Sequence, residues 1–187
     1  HMATTTSGEA SEFSFNKVPD WNQYVKIASD KTAPLLTAPF EGVAAMALYG
    51  EASSSISAYF RSLGAAYQIA NDLMNFRALD GAVSKASDLA RRAPNAVVVT
   101  YRETLSPDKL YRFDAWYSSG SNSDFESWLY EILSSRAMFT TAERMQDNLS
   151  QSSYLAEDMP LALAGAVSPV QELLQKVCMK ATSLTET

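Results

Sequence analysis

Gly64-Ala-Ala-Tyr67-Gln68-Ile-Ala-Asn71-Asp72-Leu-Met-Asn75 carries a row of polar side chains through an otherwise apolar stretch. At about 100° per residue, Gln68, Asn71, Asp72 and Asn75 fall on one helical face, at i, i+3, i+4 and i+7. Ile69, Ala70, Leu73 and Met74 occupy the other faces. Asparagine is a poor helix former, and a merely solvated face more often carries Lys, Glu or Gln. Oxygen-bearing side chains at this spacing can hold a hard cation or a hydrated diphosphate. They also suit an ordinary amphipathic helix with its polar side in water.

Helical periodicity extends outward from this stretch in both directions. Asp20 precedes Trp21 as a helix cap, and a helical pattern runs from Trp21 towards Tyr49 before Gly50 ends it. Pro34 and Pro39 lie inside that pattern, where each removes a backbone hydrogen bond and should kink or split the helix. The helix bearing the polar stripe spans Ser53 to Leu79 and stops at the Asp80-Gly81 turn. Ser84 to Arg92 reads as a short helix or loop. Ala96-Val-Val-Val-Thr-Tyr101 has β propensity, yet a lone strand has nothing to pair with, so it is read as a buried helix opened by Asn95.

Ser106-Pro107-Asp108 starts a further helix through Trp116 and Tyr117, followed by a loop over Ser118 to Ser123. Segments Asp124 to Arg136, Ala137 to Glu157 and Pro169 to Thr182 complete the series. Aromatic side chains from Phe113 to Tyr130 recur at helical spacing and read as core. The fold class is all-α, an antiparallel helical bundle. Residues 1–15 read as a lead-in, with His1-Met2 as an expression scar and Ala3 to Phe15 disordered; residues 16–187 form the helical domain.

Composition narrows the chemistry. The chain has 187 residues, 47% hydrophobic and 19% charged, which is globular rather than disordered. A net charge of -6 without any Lys/Arg block argues against nucleic acid as a partner. Cys178 is the single cysteine and His1 the single histidine, which excludes a disulfide framework, cysteine-based zinc sites and histidine catalysis. A metal held by these residue types would be a hard, oxygen-preferring ion such as Mg²⁺. No apolar run approaches the ~20 residues of a membrane span, and no signal-peptide pattern opens the chain, so a cytoplasmic location is expected.

Four segments together resemble the C-terminal half of trans-isoprenyl diphosphate synthases, the polyprenyl synthetase family. Lys31-Thr32-Ala33 resembles that family's K-T-A/G helix. Gly64-x-x-Tyr67-Gln68-x-x-Asn71-Asp72-x-x-Asn75 resembles its second aspartate-rich motif, G-x-x-F-Q-x-x-D-D-x-x-D, and is the specific one of the four. Lys85, Asp88-Leu89 and Pro94 resemble the segment behind that motif, and the terminal helices with Met159-Pro160 and Leu173-Leu174 complete the match over residues 18 to 182.

The resemblance implies an isoprenoid-synthase-type bundle around a deep cavity. It implies condensation of isopentenyl diphosphate with an allylic diphosphate, with Mg²⁺ bridging two aspartate-rich motifs. Carried over by position, Lys31 and Lys85 would ground the diphosphate, Thr32 and Gln68 would hydrogen-bond near the reacting carbons, and Tyr67 would line the substrate site. Asn71, Asp72 and Asn75 would face the metal.

The chain departs from the family in two respects. The motif's leading and trailing aspartates are Asn71 and Asn75, and losing two carboxylates costs several kcal/mol of metal affinity by order of magnitude. The N-D-L start also resembles the metal motif of terpene cyclases, but Leu79 stands where that motif has Glu. Second, only thirty residues precede Lys31 and none forms D-D-x-x-D. The expectation is half a barrel with an exposed apolar wall, in which Phe40, Leu48, Phe60 and Tyr67 lack facing partners. A second polypeptide bearing the first aspartate-rich motif is the favoured completion; a truncated chain or a rearranged self-association is the other. With it, Mg²⁺ would be weak or shared, and the alternatives in function are a non-catalytic regulatory or scaffold subunit, or a cyclase-like protein.

Overall fold

The computed structural model describes residues 3–6, 17–46, 53–81 and 84–183, and no strand occurs among them. Residues 3–6 form one helical turn, which replaces the coil expected there; the rest of the expected lead-in lies outside the described residues. In chain order the helices are α1 (Trp21–Met46), α2 (Ser53–Asn75), α3 (Ser87–Arg91), α4 (Ala96–Glu103), α5 (Pro107–Ser119), α6 (Phe125–Ser134), α7 (Ala137–Glu157) and α8 (Leu161–Thr182).

The starts follow local chemistry. Asp20 caps α1 through its Oδ1, which accepts from the Gln23 N–H at 2.8 Å, while Gln23 Oε1 accepts from the Asp20 N–H at 3.0 Å. This reciprocal pair satisfies two otherwise orphaned donors. Asn95 caps α4 with a single bond, its Oδ1 accepting from the Val97 N–H at 2.9 Å. Pro107 occupies the first turn of α5, and Gly120 ends that helix in the left-handed region at φ 65°.

Two expectations about proline need correction. Helix α1 runs unbroken from Trp21 to Met46 with Pro34 and Pro39 inside it. Helix α8 starts at Leu161 rather than Pro169, which lies within it. A missing N–H removes one bond from a ladder of many, and α1 recovers that loss by packing along α2, its main neighbour. The stripe helix is also shorter than expected: α2 ends at Asn75, and Phe76 to Ala78 form a turn in which Ala78 adopts φ 55°.

Helix α2 is the axis of the molecule, packed against α1, α7, α8 and the start of α4. Ile56, Tyr59, Phe60, Leu63, Ile69 and Leu73 on it are fully buried. Cys178 on α8 is buried too, its thiol donating to the Ala66 carbonyl at 3.7 Å. The β-like run Ala96 to Tyr101 is a wholly buried helix, as the sequence reading holds. A second aromatic cluster joins α5 and α6, with Phe113 and Trp128 meeting edge to face at 5.1 Å.

Part of the expected bare wall is covered. Phe60 is fully buried, Phe40 stacks on it at 5.0 Å, and Tyr67 is half-buried against the core; Leu48 lies outside the described residues. One stripe of α1 stays open. Leu35, Pro39, Val43 and Met46 recur along it at helical spacing, all exposed, Met46 to 87%.

Candidate active site

Helices α1 and α2 come close together where the K-T pair faces Gly64. A methyl group on Gly64 would stand 3.3 Å from the Ala33 backbone nitrogen and 3.4 Å from the Thr32 Cβ. Glycine is what lets the two backbones approach this closely. That approach brings Gln68 within reach of Thr32, and the Gln68 amide donates to the Thr32 hydroxyl. Two residues before Thr32, Asp30 is buried and accepts from both Lys26 and Arg61, the latter at 3.0 Å, which ties α1 to α2.

Below this junction lies a cleft of about 160 Å³. Tyr24, Ile27, Ala28 and Lys31 of α1 form one wall, and Gln68, Asn71 and Asp72 of α2 form the second. Asp80, Asp88, Arg91 and Pro94, from the segment joining α2 to α4, close it. Lys31 and Arg91 are its cations, against the carboxylates of Asp72, Asp80 and Asp88. Arg91 pairs with Asp88 at 2.8 Å.

The stripe therefore divides by depth. Gln68 and Asn71 are half-buried at the cleft wall, whereas Asp72 and Asn75 are held in the protein. Asp72 Oδ2 accepts from the Tyr24 hydroxyl at 2.7 Å and from the Ala96 N–H at 2.6 Å. The second contact sets a carboxylate on the first turn of α4, where a helix N-terminus favours negative charge. Asn75, 1% exposed, donates its amide hydrogens to Asp80 at 2.7 Å and to Ser87 at 2.8 Å. Its Oδ1 accepts from the Asp88 N–H at 3.2 Å.

The structure brings Lys31, Thr32, Gln68, Asn71 and Asp72 together. Asn75 points into the segment behind the cleft, Tyr67 packs against the core, and Lys85 is exposed and is not part of the lining. The sequence reading missed Tyr24 and Arg91. Tyr24 sits 48 positions before the carboxylate it serves, so only the fold reveals the pair. Arg91 was legible as a cation three residues after Asp88, a spacing that pairs them on a helical turn. Asn95 was read only as a cap; its amide also donates to Asp88 Oδ2 at 3.2 Å, joining that turn to the cleft.

Magnesium prefers six oxygen ligands in near-octahedral geometry. Among the described residues, no group of three or more His, Cys, Asp or Glu side chains is arranged to hold a metal ion. Asp72 already serves Tyr24 and α4, and Asn75 is committed to Asp80, Ser87 and Asp88. These donors do not fit a magnesium ion held by this chain alone. Leu79 lies beyond the end of α2, so the helical register of the cyclase motif does not reach it.

A bundle of this form, with a K-T helix crossed on a Gly-x-x-Tyr-Gln helix, is the isoprenoid-synthase fold. The family profile described as Polyprenyl synthetase matches residues 1–133, and the chain belongs to that family. That match ends within α6, so α7 and α8 lie outside it.

Solved structures of the same fold do include α7 and α8. Decaprenyl diphosphate synthase from Rhodobacter capsulatus superposes with a TM-score of 0.74 at 16% identity, covering 96% of this chain and 57% of that one. Octaprenyl pyrophosphate synthase from Helicobacter pylori gives 0.67 at 16% identity, covering 97% and 57%. Geranylgeranyl pyrophosphate synthetase from Pyrococcus horikoshii gives 0.62 at 17%, covering 99% and 55%. The chain thus spans little more than half the length of these neighbours. No curated protein matches it by sequence. No helix of the described residues is long and apolar enough to cross a membrane.

Proposed function

We propose that this chain supplies one half of the active site of a trans-prenyltransferase. The enzyme condenses isopentenyl diphosphate with an allylic diphosphate, and a second polypeptide bearing the first aspartate-rich motif completes it. The observation that carries the reading is the crossing at Gly64, where Thr32 bonds Gln68 beside a cleft lined by Lys31, Gln68 and Asn71, in a member of this family. The open apolar stripe of α1 supports a complement that closes the site.

In this reading the Lys31 ammonium, joined by Arg91, neutralises the departing diphosphate, an electrostatic role suited to a partly enclosed cleft. Thr32 and Gln68 fix each other and shape the wall beside the reacting carbons. Leu35, Pro39, Val43 and Met46 lead away from Lys31 along α1 and offer the apolar surface that a growing prenyl chain requires. Lys85 approaches the diphosphate only when the complement is in place, and Tyr67 supports the wall from behind. Magnesium, in this proposal, takes its carboxylates from the second chain, with Asn71 and Asp72 on this side of the cleft. The complex is cytoplasmic.

A second reading has its own observation. The hydrogen bonds of Asp72 and Asn75 are spent inside the fold, as a regulatory or scaffold subunit without metal chemistry would have them. One experiment separates the two. In the assembled complex, Lys31→Ala should lower kcat/KM roughly 100-fold or more. A complex whose turnover ignores that substitution leaves the scaffold reading.

A further inference from the structure

Arg91 and Arg92 are adjacent, yet of the two it is Arg91 that lines the cleft, where it pairs with Asp88 at 2.8 Å. Arg92 ends α3 in the left-handed region at φ 60°, a conformation that favours glycine. A bulky side chain persists there when its surroundings hold it. The Arg92 guanidinium lies 3.9 Å from the centroid of the Trp116 ring and 5.8 Å from that of Tyr117. Its Nη1 donates to the Leu89 carbonyl at 2.6 Å and the Ala90 carbonyl at 3.3 Å, and its Nη2 donates to the Ser121 carbonyl at 2.5 Å. Two further bonds reinforce the contact. The Tyr117 hydroxyl donates to the Ala93 carbonyl at 3.1 Å, and Trp116 Nε1 donates to the Ser123 carbonyl at 2.5 Å, which fixes the ring on which Arg92 rests.

The turn so fastened carries Asp88 and Arg91 before Arg92 and Pro94 after it, all in the lining of the cleft. We propose that Arg92 is a positioning residue: stacked on Trp116 and tied to Ser121, it pins this turn to the end of α5 and so sets where Asp88 and Arg91 stand in the cleft. A guanidinium suits the task because it is planar, stacks face-on, and spreads its donors over several carbonyls, whereas an ammonium is a compact point charge. The cleft wall is thereby braced from the aromatic cluster of α5 and α6, on the far side of the turn from the polar stripe. The pin rests on the diphosphate reading of the cleft only for its purpose; the contacts themselves are independent of it.

The test uses Arg92→Gly and Arg92→Lys in the full chain. Glycine accepts the left-handed backbone, so R92G removes the side chain without straining the turn. Amide hydrogen exchange is followed by mass spectrometry over residues 86–95, with α7 as the internal reference. The expected result is exchange roughly 10- to 100-fold faster over 86–95 in R92G, with α7 unchanged and R92K in between. Millimolar guanidinium chloride restores much of the protection in R92G, and methylammonium chloride at the same concentration does not. Should R92G fail to fold, R92K decides: faster exchange confined to 86–95 supports the pin, and exchange equal to that of the wild type overturns it.

Unchanged exchange over 86–95 in R92G, an equal acceleration in α7, or the lack of any selective rescue by guanidinium would each overturn the pin. Inorganic pyrophosphate, titrated by calorimetry into wild type and R92G, reads the purpose separately. Binding roughly 10-fold weaker in R92G, the loss of about one hydrogen bond to a charged group, supports placement of Arg91 by Arg92. Equal binding by the two overturns that placement. No binding by the wild type contradicts the diphosphate reading of the cleft, and the exchange result then decides the pin by itself.

Discussion

Tyr24 and Asp72 show how one residue pair can set the identity of a site. The phenol donates to the carboxylate at 2.7 Å, within a buried corner where α1, α2 and the start of α4 converge. A buried hydrogen bond to a charged group contributes about 2 kcal/mol. Tyr24→Phe should therefore lower Tm by roughly 4–8 °C in a chain of this size, measured by calorimetry. It should also free Asp72 for other donors, whereas an unchanged Tm would place that carboxylate under no obligation to the fold. Cys178 gives a second check at this scale. Burial pushes its thiol up to about 12, so iodoacetamide at pH 8 should leave the native protein unlabelled and label it once urea unfolds it. Labelling of the native chain at the rate of a free thiol would show that α8 does not stay docked on α2.

At the scale of elements, legibility followed the range of the interaction. The start of α4 was readable because Asn95 acts within two residues, and because four apolar residues in a row without a partner strand had to be helix. The start of α1 was readable for the same reason. The continuity of α1 was not, since Pro39 and Pro34 argue locally for a break, and only the long contact with α2 outweighs it. Pro39 is exposed and leaves one backbone carbonyl unserved, so Pro39→Ala should raise stability by about 1–3 kcal/mol in urea melts. A loss would mean that the proline shapes the helix for a purpose. The Gly64 crossing makes the opposite demand. Gly64→Val places methyl groups against the Ala33 backbone, and the expected cost is about 1–3 kcal/mol, together with loss of the Gln68 to Thr32 contact. Equal stability by chemical denaturation would show that α1 can move away freely.

For the whole molecule, the polar stripe was legible as a stripe but not as two functions. Gln68, Asn71 and Asp72 line the cleft, Asp72 while also bonding Tyr24 and the start of α4, whereas Asn75 is turned to the segment that joins α2 to α4. That segment is built from left-handed turns and long-range side-chain bonds, which leave no periodic signal in sequence. The likeness to one half of the bundle was legible because the motifs matched are those of the C-terminal half and no D-D-x-x-D precedes Lys31. The covering of Phe60 by Phe40 was not, because it depends on how α1 crosses α2. The exposed stripe from Leu35 to Met46 starts four residues after Lys31 and is, under the proposed function, the surface a complement would meet.

Turnover of isopentenyl and allylic diphosphates therefore tests the account most directly. It is measured for this chain alone, and again after addition of a chain bearing D-D-x-x-D. The account predicts no longer linear diphosphate from this chain by itself. It predicts formation of that product on mixing, and its loss when Lys31→Ala replaces the wild type in the mixture. Full-rate synthesis by the isolated chain, or a mixture indifferent to Lys31, would contradict it.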